Sequence, residues 1–320
     1  MKRIVSLLCP LILALPGAVS AESTKWPERP VVFVQPYGPG TALDAATRFM
    51  AARLEPKWKQ PIVVDHKPGA NGVIGTQAVA RAEPDGYTFL FTGPGHFSNE
   101  FLMESIPFDP IKDFEPVAQL ATVMLVLVVP ASKPFNTVDD LVAYAKAHPG
   151  KLTYSSGGVG SSQHLSAALF TDAVDIDVLH VPYKTQAQAV VDIVGGSVDF
   201  GFAALATAAP QMQAGKLKAL AVTGPSRSRS LPDVPTMQEQ GVKDYAFYSF
   251  NAVFAPKGTP AGIVEKVSSD LEEIAKSEDF QALLTRQGIE DTFLDAKGWA
   301  NAVAEERKNW KNAAEAGKSK

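Results

Sequence analysis

Apolar runs of three to nine residues alternate with longer stretches of helical periodicity along most of this 320-residue chain. The runs at 31–34, 62–65, 88–91, 125–129, 152–154, 178–181, 197–202, 219–222 and 247–255 are rich in β-branched and aromatic residues and bounded by Gly, Pro, Asn or Asp. That pattern predicts strands. Helices are expected to begin near Thr41, Gly72, Thr137, Ser161, Thr185 and Leu205. Thr137-Val138-Asp139-Asp140 resembles a capping box, and His148-Pro149-Gly150 closes the helix it opens. Past Thr259-Pro260, a cap followed by proline at the first helical position, the chain reads as helix. It ends in a polar tail from Ala316 that is expected to fray.

Strands alternating with helices predict an α/β fold in which crossover helices cover a parallel sheet. Two segments interrupt the alternation. Residues 119–130 and 245–256 are both apolar and extended, without the composition of a flexible linker. They read as two crossing strands that carry the chain between two α/β lobes, forming a hinge with a ligand cleft beside it. The alternative is one continuous large sheet. The expected boundaries are 22–124 and 249–320 for lobe I and 125–248 for lobe II, after a signal peptide over 1–21.

Two strand-to-helix turns carry the candidate chemistry. In the first, the run ending at Val34 breaks at Pro36, passes Tyr37, Gly38 and Gly40, and enters a helix at Thr41 with Asp44 three residues on. In the second, Tyr154 gives way to Ser155, Ser156, Gly157, Gly158 and Gly160 before a helix begins at Ser161 or Ser162. Glycine lets the backbone turn sharply, and a hydroxyl-capped helix start presents amide donors and the positive end of a dipole. Such a start attracts anions. One in each lobe would hold a carboxylate-bearing molecule between them, whereas either alone reads first as an ordinary cap. Asp44 itself can serve the amides of its first turn.

The leader changes the expected compartment. Lys2 and Arg3 precede an apolar run over 4–15 and the small-residue exit Pro16 to Ala21, which reads as a Sec signal peptide cleaved after Ala21, with Ser20 as the alternative. Cys9, the single cysteine, falls inside it, so the mature chain has no disulfide or thiolate metal site. Formal net charge is −4, and loss of Lys2 and Arg3 makes it −6, from 28 basic against 34 acidic side chains. A mildly acidic chain without a basic stripe excludes nucleic acid as the expected partner. An exported periplasmic protein of about 300 mature residues has room for two ordinary lobes.

Read together, the motifs resemble a known family. They are Trp26-Pro27-Glu28-Arg29-Pro30, Pro36-Tyr37-Gly38-Pro39-Gly40 with Asp44, His66-Lys67-Pro68-Gly69-Ala70-Asn71-Gly72-Val73-Ile74-Gly75 and Pro84-Asp85-Gly86-Tyr87-Thr88. The series continues through Pro107-Phe108-Asp109-Pro110, the loop from Ser155 to His164, His180-Val181-Pro182-Tyr183-Lys184, Leu231-Pro232-Asp233-Val234-Pro235 and Ala255-Pro256-Lys257-Gly258-Thr259-Pro260. The chain resembles the extracytoplasmic solute receptors of tripartite tricarboxylate transporters, the Bug family, over nearly all of its mature length. The resemblance implies a two-lobed periplasmic binding protein, type II-like, that closes on a small organic carboxylate, dicarboxylates and aromatic carboxylates included, and delivers it to membrane permease subunits. It further implies a monomer that acts without cofactor or catalysis. The grip would come from Tyr37, Gly38, Gly40, Thr41 and Asp44 on one side and from Ser155, Ser156, Gly157, Gly160, Ser161 and Ser162 on the other. Gly93 and His96 would belong to a cleft-wall loop, and Ala203 and Thr207 to a second wall.

Three departures bear on the ligand. Thr41 stands where the family usually has a second glycine, Thr185 where a glycine follows Pro182-Tyr183-Lys184, and Ala203-Ala204 where many relatives carry Asp-Asn. Loss of that carboxylate removes a partner for a ligand ammonium and predicts an acid with an uncharged or aromatic body. Two rival classes remain: a secreted hydrolase using Ser161 or Ser162 with His164, and a sensor that signals to a membrane protein. None of His66, His96, His148, His164 and His180 has a second ligand at metal spacing. The hydrolase lacks a G-x-S-x-G elbow, and the glycine loops lack the P-loop and dinucleotide signatures.

Overall fold

A computed structural model describes residues 25–245 and 247–318. The signal peptide expected over 1–21 lies outside the described residues. The chain opens with β1 (Val31–Gln35), α1 (Ala42–Trp58), β2 (Ile62–His66), α2 (Val73–Ala80), β3 (Thr88–Thr92) and α3 (Gly95–Leu102). Then come β4 (Phe114–Pro130), α4 (Val138–Ala147), β5 (Thr153–Ser156), α5 (Ser162–Ala173), β6 (Leu179–Pro182), α6 (Gln186–Val194), β7 (Phe200–Ala204), α7 (Leu205–Gln213) and β8 (Leu217–Val222). The last elements are β9 (Tyr248–Pro256), α8 (Ala261–Ala275), α9 (Glu278–Gln287) and α10 (Ala296–Lys318).

One strand belongs to two sheets. Over its first part β4 pairs with β9, from Phe114 opposite Pro256 to Met124 opposite Tyr248. From Leu125 onward it pairs with β7 on one edge and β8 on the other. One sheet therefore runs β2-β1-β3-β9-β4 and the other β8-β4-β7-β5-β6. The β1–β2, β1–β3, β5–β6 and β5–β7 pairs are parallel, as a crossover topology requires. The pairs made by β4 and β9 are antiparallel, so the sheet is mixed rather than parallel throughout. The cause is chain direction: β4 leaves one sheet and β9 returns to it.

Both faces of the central strands are covered, which explains why β1, β7 and the second half of β4 are buried residue after residue rather than alternating, whereas the edge strands β2 and β6 leave Val63 and Leu179 exposed. Met50 and Leu54 of α1, Leu271 of α8 and Phe280 of α9 pack on one face of the first sheet. Val190 and Ile193 of α6 with Ala208 of α7 pack on one face of the second. A single cluster covers the remaining faces of both, joining Phe97 of α3, Leu165 and Phe170 of α5, and Trp299 and Trp310 of α10.

Three local expectations change. The loop expected over Thr92-Gly93-Pro94-Gly95-His96 instead enters α3 at Gly95, a start its turn chemistry conceals because the N-cap, Pro94, supplies no side-chain hydrogen bond. The C-terminal helix stays ordered past Ala316: a Cβ at Gly317 would lie 2.8 Å from Leu165 Cδ2, so tertiary packing holds the tail. At α8 the cap is Pro260, one residue later than expected, while Thr259 Oγ1 donates back to Pro256 O at 2.8 Å. The capping box at Thr137 and Asp140 forms as expected.

Candidate functional site

The turn after β1 is braced from within. Thr41 caps α1 and its hydroxyl accepts from the Asp44 amide at 3.1 Å. The Asp44 carboxylate accepts from Gly40 N at 3.0 Å and Arg48 Nε at 2.9 Å, and lies 2.8 Å from His66 Nε2. Burial pushes this carboxyl up, and the Gly40 amide, His66 and Arg48 more than reverse it, holding it below the usual range. Asp44 thus fixes the shape of the loop rather than offering a free carboxylate. Gly40 has φ +84°, the left-handed region that favours glycine. Around Gly38 and Gly40 an added Cβ would meet nothing within 4 Å, so this stretch of backbone stands open to a ligand. Tyr37 lies behind it: its hydroxyl accepts from Gly95 N at 3.1 Å, and burial raises its pKa.

The turn after β5 is shaped by hydroxyls and histidines. Gly158 N donates to Ser156 Oγ at 3.1 Å, and that oxygen lies 2.7 Å from His180 Nε2. Gly160 N donates to His164 Nδ1 at 3.3 Å, while Ser161 caps α5 by accepting from His164 N at 3.2 Å. The His164 and His180 rings approach to 4.5 Å, and His180 stacks on Tyr154. Burial, then the neighbouring His164, lowers the His180 pKa to about 4, and burial lowers His164 as well. Both rings are neutral at pH 7. At the helix start, the Ser162 and Gln163 amides have no intrahelical acceptor. Ser161 Oγ, already an acceptor, keeps its own proton to donate.

Of the two turns, only the one after β5 lines the cleft between the lobes. A cleft of about 480 Å³ is walled by Asn71, Asn99, Leu102 and Met103 on one side and by Gly157, Val159, Gly160 and Ser161 on the other. Asn71 Nδ2 donates to Asn99 Oδ1 at 2.8 Å, and Asn99 Nδ2 donates to Asn71 O at 2.9 Å. This lining contains no Asp, Glu, Lys, Arg or His. Sequence reasoning placed Gly157, Gly160 and Ser161 here and missed Asn71, Asn99, Leu102, Met103 and Val159. Asn71 carried a legible signal, an Asn before Gly that adopts φ +51°. Leu102 and Met103 did not, since they follow from the unexpected helix α3.

Several expected site residues lie elsewhere. His96 is fully buried, its ring stacked 4.3 Å from Phe254 and its Nε2 2.8 Å from Pro110 O. Burial drives its pKa down to about 4. It is a core residue, not part of a cleft wall. Gly93 is buried against β9, where a Cβ would come within 3.2 Å of Phe250 O. Ser155 is buried as well, with its hydroxyl directed at Ala189 O, 3.4 Å away. Ala203 is 1% exposed and packs with Val126, Val190 and Val222, so its methyl cannot contact a ligand in the cleft. Thr207 sits in the first turn of α7, and neither it nor Ala203 lines the cleft. Ser162 is half-buried beside the capping Ser161. The hydrolase arrangement is not assembled: His164 Nδ1 accepts from the Gly160 amide, and Ser161 bonds the His164 backbone instead of its ring.

Two α/β lobes sharing crossing strands, with a cleft between a helix start and facing loops, define a periplasmic binding protein, a class that captures solutes. The chain belongs to the TctC family, described as the tripartite tricarboxylate transporter family receptor, whose profile matches residues 46–317. It is 31% identical to BugT of Bordetella pertussis over 312 residues, covering 97% of this chain and 96% of that protein. Among solved structures it is similar to Rpa4515 of R. palustris with adipate, at 33% identity and TM-score 0.75, over 92% of this chain and 98% of that one. It is also similar to MatC of Rhodopseudomonas palustris with bound malate, at 28% identity and TM-score 0.71, over 90% and 100%. The protein is thus a solute-binding receptor of a periplasmic family. Among the described residues no helix is long and apolar enough to cross a membrane.

Proposed function

We propose that this protein captures a small organic carboxylate anion in the cleft and passes it to the membrane permease subunits of a tripartite transporter, as a monomer and without a cofactor. The observation that carries the reading is the start of α5. There Ser161 Oγ has a proton to donate, the Ser162 and Gln163 amides are unpaired within the helix, and the helix dipole adds positive potential. Gly157 and Gly160 complete that side. On the other, the open backbone of Gly38 and Gly40 with the hydroxyl of Thr41 would reach the anion on closure, supported by Tyr37 and Asp44. The adipate and malate held by the two R. palustris relatives are acids of this kind. Lobes of 22–124 with 249–320 and of 125–248 would rotate about β4 at Met124–Leu125 and the entry to β9.

A thermal-shift screen of mono-, di- and tricarboxylates tests the proposal, since a ligand at a hundredfold its Kd adds about 2.7 kcal/mol to the folded state. Ser161→Ala removes a hydrogen bond to a charged group, worth about 1.5–3 kcal/mol, so affinity should fall about tenfold to hundredfold with the fold intact. Unchanged affinity in that variant for every acid found would displace the carboxylate from this turn.

A further inference from the structure

We propose that Leu102 and Met103 on one wall and Val159 on the other form an apolar clamp that selects acids whose body, next to the gripped carboxylate, is bare hydrocarbon, aliphatic or aromatic. The inference rests on the carboxylate reading above and narrows its substrate class.

Val159 is 78% exposed, although it sits in a loop built from backbone-specific residues where any polar side chain would serve the fold. Gly158 at φ +107° and Gly160 at φ +79° flank it and set the turn that holds its isopropyl group out in the cleft. The opposite wall comes close: Leu102 Cδ1 lies 3.4 Å from the position a Cβ would take at Gly160. The two walls thus approach through hydrocarbon. Burying apolar ligand surface between them is favourable in proportion to area.

Polar groups in the same space are partly occupied: Asn71 Nδ2 donates to Asn99 Oδ1, Asn99 Nδ2 donates to Asn71 O, and the Ser161 hydroxyl accepts from His164 N. No ionised side chain lines the cleft, so a ligand ammonium would be buried without a counter-charge. A ligand hydroxyl held between Leu102, Met103 and Val159 would give up water without replacement, and a buried unsatisfied polar group is costly. The discrimination against amino acids expected from Ala203 therefore resides in Leu102, Met103 and Val159, because Ala203 is inside the core.

Calorimetry on the purified full chain with two matched pairs, succinate against malate and phenylacetate against mandelate, tests the clamp. In each pair the acids differ by one hydroxyl. The acid without it should bind at least tenfold more tightly in the pair that fits. Val159→Ser, at an exposed position, should leave the melting temperature unchanged and cut that ratio severalfold. Equal or tighter binding of the hydroxy acids by the wild type, or a ratio untouched in Val159→Ser, overturns the clamp. Where binding still falls in Ser161→Ala, the carboxylate reading survives that result. Binding of none of the four acids overturns the clamp, whereas binding indifferent to Ser161→Ala overturns the carboxylate reading and the clamp with it.

Discussion

Tyr248 Oη donates a 2.6 Å hydrogen bond to Glu306 Oε1, tying the first residue of β9 to the middle of α10. The bond sits where the chain re-enters the first sheet, and α10 continues from there along both lobes. Trp299 packs on Phe250 and Phe254, Trp310 on Phe247, and Gly317 on Leu165 and His164 of α5. Arg307 pairs with Glu100 on α3. One helix therefore braces both the element that ends in Leu102 and the one whose start carries Ser161.

Burial pushes the Glu306 carboxyl up to about 7, with Glu305 adding to the rise and the Tyr248 hydroxyl opposing it. A carboxyl with a folded pKa above its unfolded 4.5 binds its proton more tightly when folded. Its stability contribution is complete below pH 4.5 and is lost as pH rises through about 7. The loss is on the order of 3 kcal/mol. Glu306→Gln keeps a partner for Tyr248 and removes the titration, so the variant should gain stability relative to the wild type at pH 8. Urea unfolding at pH 5 and pH 8 reads this directly, and a difference between the two proteins that does not change with pH would refute it.

His96 gives the opposite slope. Its folded pKa of about 4 lies below the unfolded 6.5, so the stability it allows is present above pH 6.5 and is lost as pH falls toward 4. His180, lowered to the same range, adds to that limb. Between about pH 4.5 and 6.5 the histidines and Glu306 therefore oppose each other. In His96→Phe, which also loses the bond to Pro110 O, the melting temperature should decline less steeply on acidification than in the wild type. A parallel acid limb in the two proteins would place the acid sensitivity elsewhere.

Gly160 is needed for geometry rather than for space alone. Alanine there must hold φ +79°, at a cost of about 1–2 kcal/mol, while its Cβ would meet Leu102 Cδ1 at 3.4 Å. Relief by rotating the turn would displace Val159 and the Ser161 cap. Gly160→Ala should accordingly weaken ligand binding about tenfold, with a thermal shift of only a few degrees in the unliganded protein. Wild-type affinity in this variant would show that the turn tolerates displacement.

Closure is the motion expected of strands that pass between lobes. Because β4 and β9 stay hydrogen-bonded to each other up to Met124 and Tyr248, the lobes are expected to move as rigid bodies about that point. Small-angle scattering should record a smaller radius of gyration when an acid saturates the protein. A radius that does not change on saturation would argue against hinge closure.

The chain alone determined whatever depends on near neighbours. Apolar runs located the strands, the Thr137–Asp140 box and the Ser161 cap located helix starts, and glycines beside hydroxyls marked the two turns, because caps and positive-φ turns are satisfied within a few residues. Packing decided what depends on distant ones. Nothing near His96 in sequence announces that Phe254 and Pro110 will enclose it, and the alternation around Ala203 does not say that Val126 lies across the sheet. The cleft wall itself, with Asn71 locked to Asn99 and Leu102 set opposite Val159, unites segments separated by tens of residues. Such contacts form only once β4 has been shared between two sheets, since that pairing sets the lobes face to face and so determines which side chains meet solvent, core or ligand.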